Sequence, residues 1–553
     1  MRGFTLLPLI TVAMLLLLVG VPVIFVVLQA IFPALDAGSL REPFKAFIDV
    51  SQDSRLGPLL SNTFVLGMGV ALLSGLLGIT LGTLRGLFHI PWAKVWDLLF
   101  LIPFLLPPYI SALSWMLALQ PRGYLEQLFS IKFSMLLFSL SGMVIVMSLN
   151  IFPVVYFAVS RSMASNGGRL ADVARVHGAG PWRAFFSVTL PLALPAIAAS
   201  TLLAFALAIE EYGVPAAIGP HAGVQALTTG IEQRLADWPI DLPGAAVLSL
   251  LLVSMVLTAF AVQRALTAGK EVGTLTGKPA AVVIRHPGGW TVPIVMLFAG
   301  VAVVAVWIPV SAMLVTAFSG TLSGGLSLEN ITLRHFGALF ATHGAALGAL
   351  FSSMGLAGGT ALLTGVVGTL VAWLVTAKRV RGAALLDGLS LLPVALPGIV
   401  VGVGLILAWN HSFWPVTPYN TWSILLLAYS CLLLPYPIRY VSAALRQLGP
   451  NLEAAARVHG ASTLKALRYV VAPLIFPSLM AAMLLVFAVA VRELVTSLLL
   501  APAGVQTTSI FIWRQFEQGS VGQGMAMATV AMMVSLVTML LGIQVYQRYR
   551  SGE

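Results

Sequence analysis

Apolar runs of 18 or more residues recur from one end of this chain to the other, and no other feature constrains its fold as much. A run of that length crosses the hydrocarbon of a bilayer as an α-helix. Inside a bilayer every backbone N–H and C=O needs a partner within the protein, so only helices and closed β-barrels can span it. Barrel strands would show as short segments of alternating polarity, whereas these runs are unbroken Leu, Val and Ala. Of 553 residues, 59% are hydrophobic and 9% charged, against about 25% charged in a soluble domain. The expectation is an all-α membrane protein with most of its surface against lipid.

Twelve spans are expected, near 4–32, 60–84, 96–119, 133–158, 191–218, 243–262, 291–318, 346–376, 383–409, 422–440, 471–500 and 523–545. The first apolar run is too long for a typical signal peptide and is read as span one. The formal net charge of +11 would suit a nucleic-acid binder if it formed one patch. Instead, Arg85, Arg161, Arg175, Arg183, Arg379, Arg446, Arg457 and most other basic residues fall in alternate short loops. That is the positive-inside pattern. It puts both termini in the cytoplasm and gives the charge a membrane role, so no nucleic-acid partner is expected. The single cysteine, Cys431, lies in an apolar run, leaving no intrachain disulfide and no Cys metal cluster. No metal site is expected.

The chain repeats itself. Residues 170–199 read LADVARVHGAGPWRAFFSVTLPLALPAIAA and residues 452–481 read LEAAARVHGASTLKALRYVVAPLIFPSLMA. Ala174-Arg175-Val176-His177-Gly178-Ala179 returns as Ala456-Arg457-Val458-His459-Gly460-Ala461, and Pro191 and Pro195 return as Pro473 and Pro477. Upstream, Asp97, Pro103 and Pro107 return as Asp387, Pro393 and Pro397. Each copy holds an even number of spans, so the two share one orientation, a parallel repeat. The expected organisation is a first repeat at 1–262, a polar, basic, Gly-rich linker at 263–290 and a second repeat at 291–553.

The repeated stretches occupy the loops at 162–190 and 442–472, between spans four and five and between spans ten and eleven. Physically each reads as a short helix on the inner membrane face, rich in small residues that would let another backbone approach. An ordinary amphipathic interfacial helix would show similar spacing. The residues themselves resemble the EAA motif of binding-protein-dependent transport permeases: Glu-Ala-Ala, three residues, Gly, then an apolar stretch ending in Leu-Pro. Gly178 and Gly460 stand for the glycine, and Leu190-Pro191 and Ala472-Pro473 for the terminal pair. Asp172-Val173-Ala174 replaces Glu-Ala-Ala in the first copy. Ala454-Ala455-Ala456, with Glu453 one place early, replaces it in the second. The resemblance covers five or six spans of each half and implies the type I permease fold of ATP-binding-cassette importers.

The resemblance further implies that each motif helix docks in a groove of a separate ATP-binding subunit, two copies of which drive the spans. Asp172, Ala174, Arg175, His177, Gly178, Ala179, Glu453, Ala456, Arg457, His459, Gly460 and Ala461 would then form the coupling surfaces. His177 and His459 are expected to pack or hydrogen-bond there. A periplasmic solute-binding protein and membrane lipid complete the implied partners, with the chain in a bacterial inner membrane. The phosphate-binding pattern of Gly, four residues and Gly-Lys-Ser/Thr is missing, since Gly277-Lys278 is followed by Pro279. No cofactor is expected on this chain, ATP being used by the partner, and the chain is not expected to be an enzyme.

Span five carries Glu210 and Glu211, and span eleven Arg492 and Glu493, at equivalent places. Intramembrane charges cost a few kcal/mol, so they face a bundle interior or a water-filled path. At 1.5 Å per residue Glu210 lies roughly 28 Å along its span from Pro191, toward the outer mouth. These residues either line the translocation path or serve as interhelical hydrogen-bonding groups. Pro103, Pro107, Pro108, Pro393 and Pro397 are expected to bend spans three and nine. The stretches LIPFLLPPYISALSW, EEYGVPAAIG and ALTTGIEQRL are most similar to ferric-iron permeases, with thiamine, 2-aminoethylphosphonate and polyamine systems as neighbours. An ion-coupled secondary transporter can also be two parallel six-span halves, but 85–95 shows no Gly/Asp/Arg-rich signature.

Overall fold

The computed structural model describes all residues except 1–2, 36–37, 131, 167–168, 268–284, 342–343, 377–381, 412–413, 449–450 and 552–553. Most of the expected linker therefore lies outside the described residues. So do Arg379 and the basic stretch around it.

Nine helices are each long and apolar enough to cross a membrane, and three bent pairs bring the number to twelve among the described residues. Spans one to six are Pro8–Ile31, Leu56–Leu87, the pair Ala93–Leu105 and Pro108–Phe129, Leu140–Ser165, Pro181–Glu210 and Leu242–Ala265. Spans seven to twelve are Gly288–Phe318, Ala345–Thr376, the pair Ala383–Ala395 and Gly398–Trp409, the pair Trp422–Leu433 and Pro435–Leu448, Leu467–Ala490 and Val521–Gly542.

The prolines break spans three and nine sharply, by 96° and 113°. A proline has no N–H to give the carbonyl four residues earlier. Pro107 thus strands the carbonyl of Pro103, and Pro397 strands that of Pro393. The two repeats repair this differently. In span three the Asn150 amide of span four donates to the carbonyls of Pro103 (2.6 Å) and Leu106 (3.2 Å). In span nine the chain tightens into a 3₁₀ turn at Leu392–Ala395, and Leu396 N–H donates to Pro393 O at 3.2 Å.

Four spans carry a wide π turn: Leu16–Gly20 and Val303–Trp307 in spans one and seven, Phe185–Thr189 and Leu467–Val471 in spans five and eleven. Each turn ends two residues before a proline: Pro22, Pro309, Pro191 and Pro473. The extra residue relieves the clash of the proline ring with the preceding turn. Spans one and seven, which carry no sequence echo, thus share a backbone feature at equivalent places.

The chain forms two compact units that cut across the sequence repeats. One holds 1–52, 231–250 and 332–553, and the other 53–230 and 251–331. The first unit therefore joins span one to spans eight to twelve. There Gly404 of span nine lies so close to span one that a Cβ would meet Pro22 O at 2.8 Å, and the rings of Phe25 and His411 are 5.4 Å apart. The second unit joins span seven to spans two to five. Phe298 of span seven sits in an aromatic cluster with Trp96, Phe100 and Tyr156, ring centroids 5.5–6.4 Å apart. Thr316 hydrogen-bonds the Tyr124 hydroxyl at 2.8 Å.

Lipid offers apolar groups as good an environment as a neighbouring helix, so packing inside a bilayer depends on close fit. Span two achieves it with glycines one turn apart. A Cβ on Gly78 would lie 2.5 Å from Val155 Cβ, on Gly82 2.7 Å from Tyr156 O, and on Gly86 2.7 Å from Ser160 O. All three neighbours are on span four. This stripe is plain in the sequence as Gly-x-x-x-Gly-x-x-x-Gly, although its partner is not.

Candidate functional site

The two motif loops fold into the same object. In the first, helix Arg169–Val176 is followed by a turn and the short helix Pro181–Ala184; in the second, helix Asn451–Val458 is followed by Thr463–Ala466. Each leading helix carries its acid in the first turn, Asp172 in one and Glu453 in the other. That placement complements the positive helix N-terminus. The one-place offset of Glu453 in sequence therefore leaves it on the same helical turn.

Both leading helices end in the same hydrogen-bonded turn. Gly178 N–H donates to Arg175 O and Ala179 N–H to Ala174 O, both at 3.0 Å. Gly460 N–H donates to Arg457 O at 3.0 Å and Ala461 N–H to Ala456 O at 3.1 Å. This is a Schellman cap, which needs a left-handed residue at its corner. The φ angles of Gly178 and Gly460 are +88° and +87°. A Cβ at either would meet nothing within 4 Å. The glycines thus serve to turn the chain, with nothing among the described residues within 4 Å of where a Cβ would stand.

His177 and His459 also act alike. The Nδ1 of each lies 2.9 Å from a carbonyl one turn back, that of Val173 and of Ala455. Each ring is tied to its own helix. Among the described residues no group of three or more His, Cys, Asp or Glu could hold a metal.

The outer faces of the knobs are bare. Val176 and Val458 are each 85% exposed, and Trp182 beside the first is 76% exposed. Arg175 and Arg457 are exposed, whereas Ala174, Ala179, Ala456 and Ala461 are half-buried toward the bundle. The two leading helices thus leave a valine uncovered at the same place in each repeat.

The intramembrane acids sit at breaks. Spans five and eleven stop at Glu210 and Ala490, short of the ends at 218 and 500 expected from the apolar runs. Short helices Gly213–Ala222 and Val495–Leu500 follow. The Glu211 carboxylate accepts from Gly213 N–H at 2.7 Å, and the Glu493 carboxylate accepts from Thr496 N–H at 3.1 Å and its hydroxyl at 3.2 Å. Each acid caps the helix that begins just after it. Glu210 and Glu211 belong to one compact unit, Arg492 and Glu493 to the other. In span eleven the apolar run conceals the break, because residues 494–500 read LVTSLLL, as hydrophobic as the span itself.

The sequence pattern of the family described as "Binding-protein-dependent transport system inner membrane component" matches residues 74–271 and 364–550, one segment per repeat. The chain belongs to this family. It is a fused double permease of the ATP-binding-cassette importer class, all-α, with two parallel six-helix repeats and many passes through the inner membrane. Family membership sets aside an ion-coupled secondary transporter. Among its relatives is the Fe(3+)-transport system permease protein FbpB 2 of Haemophilus influenzae, 25% identical over 96% of both chains. The ferric transport system permease protein FbpB of Actinobacillus pleuropneumoniae is 25% identical over 87% of this chain and 70% of its own. The putative 2-aminoethylphosphonate transport system permease protein PhnV of Salmonella typhimurium is 30% identical, over 43% of this chain and 88% of its own.

Proposed function

We propose that this permease carries a solute, ferric iron first among the candidates, from a periplasmic binding protein to the cytoplasm. Two copies of a separate ATP-binding subunit drive it through the two knobs. The observation that carries this reading is the pair of equally built knobs, each with a bare valine at the same place. A twofold motor needs two equivalent handles, and the exposed Val176 and Val458 supply the apolar contacts for a groove on each motor subunit. The positive-inside pattern puts both knobs and both termini on the cytoplasmic side. Two relatives that span most of the chain are named for ferric transport, which supports iron over 2-aminoethylphosphonate, thiamine and polyamines.

Two experiments test the reading. The ATP-binding subunit should co-purify with the chain, and Val176→Glu together with Val458→Glu should lower that capture at least tenfold. A buried charge without a partner costs several kcal/mol, and about 1.4 kcal/mol is tenfold; undiminished capture would remove the docking role. Uptake by the assembled importer with its cognate binding protein, offered ferric iron, thiamine or 2-aminoethylphosphonate, should proceed with iron. Uptake of another solute instead would overturn the iron assignment alone.

A further inference from the structure

The first knob is tied to the transmembrane bundle by a residue of the linker. Arg285, whose side chain is 35% exposed, forms an ion pair with Asp172, 44% exposed. The backbone around Arg285 is laid along the end of span two. Arg285 N–H donates to Leu87 O at 3.2 Å, and His89 N–H donates to Arg285 O at 2.8 Å, a parallel bridge centred on Phe88. The rings of His89 and His286 lie 5.1 Å apart beside it.

The contacts continue inward from there. In the last turn of span two, Arg85 grips the Asp97 carboxylate of span three with Nε and Nη2, at 2.7–3.2 Å. Asp97 also accepts from the Tyr156 hydroxyl of span four at 2.6 Å. From the knob the contacts run through Arg285 to the end of span two, where Arg85 holds Asp97 near the start of span three and Asp97 accepts from Tyr156 within span four, all within one compact unit. The second knob has no carboxylate where Asp172 stands, because Ala454 occupies that place.

We propose that Arg285 is a positioning residue. It straps the first knob to the ends of spans two to four, so that a pull on this knob reaches those spans directly. The inter-repeat linker is thus part of the transmission as well as a tether. This proposal deepens the reading of the knobs as docking points and rests on it for the source of the pull.

The strap itself is tested on the full-length chain, without the partner, by amide hydrogen exchange at 172–179, with 454–461 as the internal reference. Arg285→Gln should speed exchange at 172–179 about twofold to fivefold, the scale for a partly exposed ion pair holding a local opening. Exchange at 454–461 should stay unchanged. The swapped pair Asp172→Arg with Arg285→Asp should restore most of the protection, which a variant that merely misfolds cannot do. Unchanged exchange in Arg285→Gln, equal acceleration at both knobs, or no rescue by the swapped pair would each overturn the proposal. In the complex assembled with the ATP-binding subunit, Arg285→Gln should leave ATP hydrolysis in place and lower solute moved per ATP at least threefold; an unchanged ratio would also overturn it. A chain that shows the exchange change and its rescue, yet captures no ATP-binding subunit, would keep the strap and sink the docking reading.

Discussion

Gly178 and Gly460 show how far single residues were legible. Their recurrence in the sequence pointed to a shared purpose, and small size for close approach was the natural reading. The structure adds a second reason: both hold the left-handed corner of a Schellman cap, with nothing among the described residues within 4 Å of where a Cβ would go. A side chain there meets no obstacle except the backbone itself, at about 1–2 kcal/mol for an L-residue in that conformation. Gly178→Ala and Gly460→Ala should therefore loosen each cap without disturbing the bundle. Hydrogen exchange at 177–179 and 459–461 should rise about tenfold or somewhat less while the spans stay protected, and capture of the ATP-binding subunit should weaken. Gly→Asn should be milder, since Asn tolerates this conformation. Equal losses for Ala and Asn would show that bulk at the corner matters, contrary to the open space seen there. Each histidine is the first residue past its helix, where its Nδ1 has a carbonyl one turn back within reach at 2.9 Å.

At the scale of the element, the number of spans and the proline breaks were legible, and the ends of spans five and eleven were not. Prolines announce themselves, since each strands a known carbonyl; what takes that carbonyl depends on tertiary neighbours, Asn150 in one repeat and a tightened turn in the other. The breaks at Glu211 and Glu493 depend on carboxylates folding back on the next helix, which hydropathy cannot register. Their capping geometry separates two roles that charge alone confuses. A Gln keeps the oxygen that accepts from Gly213 or Thr496 N–H but removes the charge; a Leu removes both. Glu211→Gln and Glu493→Gln should preserve thermal stability and uptake to within about twofold. Leu at either site should cost about 1–3 kcal/mol for the unsatisfied donor, read as a lowered melting temperature in detergent. A Gln variant that folds normally yet loses uptake would assign the carboxylates to the translocation path.

For the whole molecule, the symmetry is legible in the sequence and the exchange is not. The repeat and the matched segments divide the chain near its middle, but the compact units do not follow that division: span one sits with spans eight to twelve and span seven with spans two to five. No pattern within one repeat could reveal this, because each exchanged helix has the same apolar composition whichever bundle it joins. The contacts that fix it are particular ones, Gly404 against Pro22 in one unit and Phe298 among Trp96, Phe100 and Tyr156 in the other. A physical consequence follows for a chain cut within 268–284. Neither fragment holds all of either unit, so each alone lacks a helix that its bundle packs around, leaving close-fitting grooves to lipid that cannot fill them. Produced together, the two fragments should reassemble and co-purify; produced singly, each should fall to about a tenth of that yield or less, since net stability is a small difference of large terms and losing a closely fitted helix outweighs it. If the fragment ending in the linker were stable by itself, with span one protected from exchange, the exchange of first helices would be wrong. If the joint product formed but moved less solute per ATP than the intact chain, the deficit would fall on the cut linker, whose Arg285 is tied to the first knob.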